Sequence, residues 1–445
     1  MRNFQIQKGR ISSNRRGFAF VLSEDSSSDT FIPEREAKKV LHGDFVLFKK
    51  IKRGTGDKWF GKIIKVLEPG KTKILGRVTR NYGRHVFEPI QSSIGNFFSV
   101  KIPEDIKLDP EEIIECEVAR DQCGFLRLPF IFLSVLQAKP GRTIFAEAAI
   151  RNHELPVEFP DNVKVEADLL SEKIDPKIVT ERRDMRDLPF VTIDGQDAKD
   201  YDDAIFVEKR TNYFNLYVAI ADVSEFVKPF SAIDEEARNR GTSVYFSNFV
   251  LPMLPEKLSN NICSLKPNVD RLVVVVHCKI DHEGRPIHQD FFEAVICSKA
   301  RLNYQQVQDY YHTEKYPVSS EIANSLKSQK LLFGILFKAR KERGALNIDG
   351  FESRYSYNDN GRLVSVEHEE RNVSQGVIEE CMIYANVAVA NFLRETDLNM
   401  IYRHHPEPES EKLLHLKEEA EKLNLQNNMS NSSISKLCNM ILENT

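Results

Sequence analysis

Along the first part of the chain, apolar and polar residues alternate in short runs. RGFAFVL alternates around Phe18 and Phe20, DTFIP follows, and HGDFVLFKKIK supplies another such run after a turn at Gly43-Asp44. A period of two is the mark of a half-buried strand. Closely spaced runs of this kind predict a small all-β barrel over residues 1–68. A looser copy opens with ILGRVTRNYGRHVFEPI after the turn Glu68-Pro69-Gly70 and predicts a second barrel over residues 69–150.

From about residue 151 the pattern changes to mixed α and β. LPFVTID and DDAIFVE read as buried strands around an acidic turn, and YFNLYVAIADV and RLVVVVHCKID as further strands rich in β-branched residues. Over residues 376–394, Ile378, Cys381, Met382, Ala385, Val389 and Phe392 recur at three- and four-residue steps, which predicts an amphipathic helix. Residues 410–425 read as another helix, QNNMSNSSIS as a polar linker, and a last apolar helix begins near ILENT.

Composition narrows the class. The 445 residues are 41% hydrophobic and 29% charged, an ordinary globular balance and room for several domains. No uninterrupted apolar run approaches the ~18–20 residues of a membrane span, and MRNFQIQKGR lacks the apolar core of a signal peptide. With that, a membrane protein is not expected, and the seven cysteines form no CxxC pair and no zinc spacing, which points to a reducing cytoplasm and away from a disulfide scaffold or a zinc ribbon. The net charge of −4 hides an asymmetry: residues 1–85 hold 20 Lys+Arg against 8 Asp+Glu, a balance of +12 that leaves −16 for the rest. A charge block is ordinarily solvated surface, but a basic segment with interleaved aromatics points rather to a polyanion partner.

The sharpest chemical signal is TIDGQDAKDYDDAIF, residues 192–206, with Asp194, Asp197, Asp200, Asp202 and Asp203 inside ten positions. Packed carboxylates repel, and their pKa values rise unless a cation compensates. Hard oxygen donors at this density suit Mg²⁺ or Mn²⁺. The spacing is not that of an EF-hand, and taken alone the cluster reads either as a solvated turn or as a metal site.

TIDGQDAKDYDDA resembles the acidic signature of the ribonuclease II/ribonuclease R family, whose catalytic part is the RNB domain. EEARNRGTSVYFSNFVLPMLPEKLSNNICSLKPNVDR, residues 235–271, is similar to a second long signature of that family, and residues 1–445 follow the family's order of parts. GTSVYF and the cold-shock-like start are nearer to its ribonuclease R branch. The resemblance implies two N-terminal all-β OB-fold (cold-shock-like) barrels, 1–68 and 69–150, followed by an incomplete α+β RNB catalytic domain, 151–445. It implies a cytoplasmic, Mg²⁺-dependent hydrolase of RNA degradation that binds single-stranded RNA and releases nucleoside 5′-monophosphates from the 3′ end.

Carried over residue by residue, the resemblance makes Asp194, Asp200 and Asp203 metal ligands, with Asp200 also supporting catalysis. Asp202 takes the place of the aspartate most essential to hydrolysis. Tyr245 in SVYF matches an aromatic that stacks on the terminal nucleotides. Tyr304 and Glu379 match positions tied to a preference for RNA over DNA, a choice that turns on the 2′-OH. On pattern alone, Tyr245 also reads as a strand tyrosine and Glu379 as a charge beside an apolar helix stripe. In the first barrel, KGRISSNRRGFAFVL echoes a base-stacking strand, with Phe18 and Phe20 on one face and Arg15 and Arg16 beside them; either ring could instead fill the barrel. In the second barrel Arg77, Arg80, Tyr82 and Arg84 are candidates for a similar role.

The pattern also departs from the family. Ile348 stands where a stacking phenylalanine is expected, NVSQGVIEE lacks a usual basic residue, and the downstream R-R-Y-x-D stretch and C-terminal OB domain are not in the sequence. Either a companion polypeptide supplying that part, or a catalytically impaired RNA-binding, chaperone-like fragment, is an alternative expectation. A metal-dependent DNA nuclease is disfavoured by Tyr304 and Glu379.

Overall fold

The alternation near the N-terminus closes into a barrel of five strands: β1 (Phe4–Ser13), β2 (Ala19–Ser23), β3 (Thr30–Ile32), β4 (Phe45–Lys52) and β5 (Trp59–Glu68), in the order β1-β2-β3-β5-β4. The structure, a computed structural model, describes residues 4–442 other than 15, 24–28, 53–58, 82–83, 92–96, 110–111, 141, 315–317, 347–351, 359–361, 370, 397, 403–405, 407 and 424–433. Ile11, Ala19, Val21, Ile32, Val46, Phe48 and Ile63 fill this barrel. A short helix, α1 (Glu34–Ala37), separates β3 from β4.

A second closed barrel follows, with β6 (Lys73–Asn81), β7 (Arg84–Pro89), β8 (Phe98–Lys101), β9 (Ile113–Glu117) and β10 (Phe130–Val135) in the order β10-β8-β7-β6-β9. Its core holds Ile74, Phe87, Ile114, Cys116 and Phe130. Asp44, wholly buried, joins the two barrels: it accepts from the Leu41 and Gly70 N–H groups at 2.8 and 2.7 Å and pairs with Arg120 at 2.9 Å. Gly43 beside it turns with φ 87°, a conformation that strains any side chain. The helix α2 (Ile144–Asn152) ends this part, N-capped by the Thr143 hydroxyl.

Contacts divide the chain into two units: Met1–Val157 with Phe246–Phe249 and Ser356–Ser365, and Glu158–Tyr245 with Val250–Tyr355 and Val366–Thr445. The second is built on a seven-stranded mixed sheet. After α3 (Asp161–Leu169) and α4 (Pro176–Glu181) come β11 (Arg183–Asp184), β12 (Val191–Asp194), β13 (Asp203–Lys209) and β14 (Phe214–Ala221). Beyond α5 (Ala232–Arg240) and the ribbon β15 (Val244–Tyr245) and β16 (Val250–Leu251) follow β17 (Asp270–Ile280), β18 (Pro286–Cys297) and β19 (Ala300–Asn303). The sheet order is β11-β18-β17-β14-β13-β12-β19.

Three helices, α6 (Tyr304–Thr313), α7 (Ser320–Glu342) and α8 (Val373–Glu395), cover one face, packing Val307, Leu326, Leu336, Val377 and Cys381 on Ile193, Ile205 and Val218. The other face buries Phe190, Phe206, Val273 and Ile296 against Val163, Ile233 and Leu258. Both faces are covered, so β12 and β13 read as near-continuous apolar runs rather than alternating ones. A second ribbon, β20 (Glu352–Tyr357) and β21 (Leu363–Glu369), precedes α8, and α9 (Ser410–Lys422) and α10 (Ile434–Leu442) follow it.

The helix read over 376–394 is α8, and the apolar one near the end is α10. With 23 residues, α8 is long and apolar enough to cross a membrane by length and composition, although Glu379 and Glu380 interrupt its apolar run. Here it lies against the sheet, with Val377, Ile378, Cys381, Ala385 and Ala388 buried.

Candidate active site

Asp194 ends β12 and Asp203 begins β13, so both stand at the same end of neighbouring strands. The antiparallel register Val191↔Ile205, carried onward, brings Asp194 level with Asp202. The intervening turn is tied on both sides. The Arg301 guanidinium on β19 donates to the Gly195 carbonyl at 3.0 Å and to that of Gln196. The Ser264 hydroxyl donates to the Lys199 carbonyl at 2.8 Å, Leu265 N–H to the Tyr201 carbonyl at 2.7 Å, and Ala221 N–H to the Asp202 carbonyl at 2.9 Å.

Burial and mutual repulsion act on these carboxyls together. Asp203 is pushed up to about 7, first by burial and then by the charges of Asp194 and Asp202. Asp194 is pushed up to about 6 by burial, Asp202 and Asp200, against the lowering influence of Arg301. Asp202, although its side chain reaches the surface, is also raised, chiefly by desolvation and by Asp200. One buried oxygen of Asp194, Oδ2, has no hydrogen-bond partner among the described residues.

Among the described residues no three His, Cys, Asp or Glu side chains close into a ready-made metal cage. The donor set nonetheless fits a hard cation: a buried carboxylate oxygen without a partner among the described residues, and two carboxyls raised by burial and by neighbouring aspartates, are relieved by positive charge.

Two tyrosines meet this group. Tyr245 on β15 is 67% exposed, and its hydroxyl donates to Asp200 Oδ2 at 3.3 Å. Tyr304 is the first residue of α6, next to the N-cap Asn303 that pairs with Asp194 across β12 and β19. Its phenol is pushed up to about 12 by burial and then by Asp194, Asp203 and Asp202. A capping box between Asn303 and Gln306 fixes this turn, and the Ser374 hydroxyl of α8 donates to the Tyr304 carbonyl at 2.8 Å.

Glu379 on α8 is engaged elsewhere, pairing with Arg340 at 3.1 Å and with Arg371. The structure thus groups Asp194, Asp200, Asp202, Asp203, Tyr245 and Tyr304, and pairs Glu379 with Arg371 and with an Arg340 shared with Glu380, which lies nearer at 2.6 Å. Sequence reasoning missed Arg301, although ARLNYQQ carries it three positions before Tyr304. It also missed Arg354, which pairs with Asp197 of the acidic turn at 3.0 Å.

On the first barrel, Ala19 and Val21 point into the core, so Phe18 and Phe20 lie on the outer side and do not fill it. They join Phe31 and Phe60, with ring centroids 5.7 Å apart for Phe18–Phe20, 5.8 Å for Phe20–Phe31 and 5.7 Å for Phe31–Phe60. The register pairs Phe20 with Phe31 and Phe31 with Phe60. Arg16 is exposed nearby, whereas Arg15 lies outside the described residues. In the second barrel Arg77 is exposed over the Phe145 ring at 5.8 Å. Tyr82 and, further on, Ile348 lie outside the described residues, as do the side chains of Arg80 and Arg84.

Comparison with known families matches residues 182–445 to the RNB domain and residues 9–66 to the Ribonuclease B OB domain. Ribonuclease R of Escherichia coli (strain K12) is 35% identical over 414 residues, covering 91% of this chain and 50% of the relative. Ribonuclease R of Thermotoga maritima is 35% identical over 423 residues, covering 93% of this chain and 59% of the relative. A solved structure of Mycoplasma genitalium RNase R in complex with ribose methylated single-stranded RNA matches with a TM-score of 0.83 at 27% identity, over 98% of this chain and 69% of that one. The chain spans between 50% and 59% of the length of these curated relatives. The companion polypeptide that the sequence raised as an alternative finds no support among them.

Proposed function

Since the chain belongs to the RNB family, we propose that it is a metal-dependent exoribonuclease that hydrolyses single-stranded RNA from the 3′ end to nucleoside 5′-monophosphates. The observation that carries this reading is the set of carboxylates gathered at one end of β12 and β13, with a buried oxygen of Asp194 unpaired among the described residues. Asp194, Asp200 and Asp203 would hold Mg²⁺, with Mn²⁺ as an alternative. Bound there, such an ion polarises the phosphodiester and makes water a better nucleophile.

The chain's own groups do the rest. Asp202, surface-accessible beside the other three, orients the attacking water and takes its proton. Tyr245 presents an exposed ring to the last nucleotide while Asp200 fixes its hydroxyl. Tyr304 and Glu379 are assigned to the ribose 2′-OH; for Glu379 this means a carboxylate already oriented by Arg340 and Arg371. Residues 151–445 carry this chemistry, and the barrels over 1–68 and 69–150 bind the strand through Phe18, Phe20, Arg15 and Arg16. All seven cysteines are free, which supports a cytoplasmic place in RNA decay and processing.

A second reading, RNA binding without hydrolysis, is favoured by the phenylalanine surface of the first barrel, which needs no chemistry to bind bases. One experiment separates the two. Purified chain, Mg²⁺ and 5′-labelled single-stranded RNA should release mononucleotides, and Asp202→Asn should abolish release while leaving RNA affinity intact. Binding with no release by the wild-type chain leaves only the second reading; release that persists in Asp202→Asn removes the assigned site.

A further inference from the structure

At the end of the sheet away from the carboxylates, the turn between β17 and β18 meets α7 around a cavity of about 690 Å³. The register Asp203↔Ile220 and Ile220↔Val274 sets the acidic end level with Val274, and six further residues, ~20 Å of strand, lead to Ile280 at the turn. The wall is built rather than incidental. Asp281 Oδ1 accepts from the Glu283 and Arg285 N–H groups at 2.9 and 2.7 Å, and Gly284 turns with φ 82° so close to α7 that an added Cβ would stand 3.2 Å from Ala339.

The lining has two chemistries. Leu331, Gly334 and Ile335 of α7 make an apolar floor; Leu331 is half exposed, and a Cβ at Gly334 would meet nothing within 4 Å. Arg285, Lys338 and Arg343 supply cations, and among the described residues neither Arg285 nor Arg343 has a carboxylate within ion-pair distance. Lys338 is held only loosely, 3.9 Å from Glu342, on a side chain that is 79% exposed. Glu283 and Glu342 complete the rim as acceptors. Outside the lining, Tyr384, which interacts electrostatically with Asp281 and Arg343, keeps a buried hydroxyl with no hydrogen-bond partner among the described residues.

We infer that this cavity binds a nucleoside 5′-monophosphate, its base on the apolar floor, its phosphate on the arginines and its hydroxyls on the glutamates. An apolar floor, guanidinium groups with no carboxylate partner among the described residues, and acceptors within one volume of drug-ligand size match that combination better than they match phosphate or a nucleoside alone. The site is separate from the proposed active site and does not depend on hydrolysis.

The test uses the full chain and calorimetric titration with AMP, adenosine and inorganic phosphate as probes. AMP should bind saturably, with adenosine and phosphate each at least tenfold weaker. Arg285→Ala with Arg343→Ala should weaken AMP at least tenfold, and Lys338→Glu severalfold, whereas Tyr245→Ala should leave this binding unchanged. Gly334→Leu is the sharper variant: it adds a good helix former into open space, so the fold is kept or stabilised while the cavity is filled and AMP is lost. No AMP binding, binding indifferent to Gly334→Leu and the arginine pair, or binding abolished by Tyr245→Ala overturns the assignment.

Discussion

Asp203 shows what the acidic end imposes on a single side chain. Its carboxyl sits near 7 against an ordinary value of 3.8. The folded chain therefore holds a proton there that the unfolded chain releases between about pH 4 and pH 7. The stability this proton contributes is complete below the unfolded pKa and lost as pH rises through the folded one. Asp203→Asn removes the titration, so in the presence of a chelator its thermal midpoint should gain on wild type from pH 4.5 to pH 7.5. Each kcal/mol gained is worth roughly 2–4 °C. Added Mg²⁺ should close the gap by stabilising wild type alone. A difference that stays constant with pH would remove the raised carboxyl pKa, due first to burial and then to its neighbours' charge, and leave a packing effect. The density of aspartates made this residue legible in TIDGQDAKDYDDA. The place of Tyr304 beside it was not legible from spacing, because that arises from the parallel pairing of Asp194 with Asn303 across more than a hundred residues.

Strands set the next level. Phe18 and Phe20 were readable as a pair because Ala19 and Val21 alternate with them. Phe31 and Phe60 were not, since β3 and β5 pair in parallel and nothing local announces that register. The resulting surface predicts that Phe31→Ala and Phe20→Ala both weaken single-stranded RNA binding, by about 1–3 kcal/mol for each ring that stacks on a base. Anisotropy titrations check this; an effect confined to Phe20 would mean that Phe31 and Phe60 serve only as supports. Within β17, His277 stacks on Tyr217 at 4.2 Å and shares a hydrogen bond with Asn215 at 3.2 Å. Burial first, then Lys279 and nearby cations, hold its pKa down near 4, while Asp290 opposes them. The unfolded chain protonates this ring below about pH 6.5 and the folded one does not. Its stabilisation is thus full above 6.5 and fades as pH falls toward 4, at no more than about 1.4 kcal/mol per unit and less for a half-exposed ring. His277→Phe keeps the stack and should flatten the chemical-denaturation profile over that window. An unchanged slope would assign the acid sensitivity to other groups.

At the scale of the whole molecule, the order of parts was legible, two barrels and then a mixed sheet with helices, because periods of two and 3.6 survive in the sequence. What covers α8 was not legible, since an apolar helix in a core and one in a bilayer share length and composition. Charge is distributed just as unevenly as pattern, with +12 over residues 1–85 in a chain of net −4. If phosphate contacts from the first barrel drive binding, log affinity should fall linearly with log salt, by about 0.7 for each contact on a single strand. Charge and stacking then separate cleanly. Arg16 is exposed, and Lys62 is exposed on the same side of β5 as Phe60. Arg16→Gln and Lys62→Gln should each lower the salt slope by up to about 0.7, because one condensed counterion fewer is released. Phe20→Ala should lower affinity equally at every salt concentration and leave the slope alone, because stacking releases no counterion. Both series belong in the Asp202→Asn background, so that the strand survives the titration. A slope unmoved by the two glutamine variants would mean that the basic segment is solvated surface and that the phosphate contacts lie elsewhere in the chain.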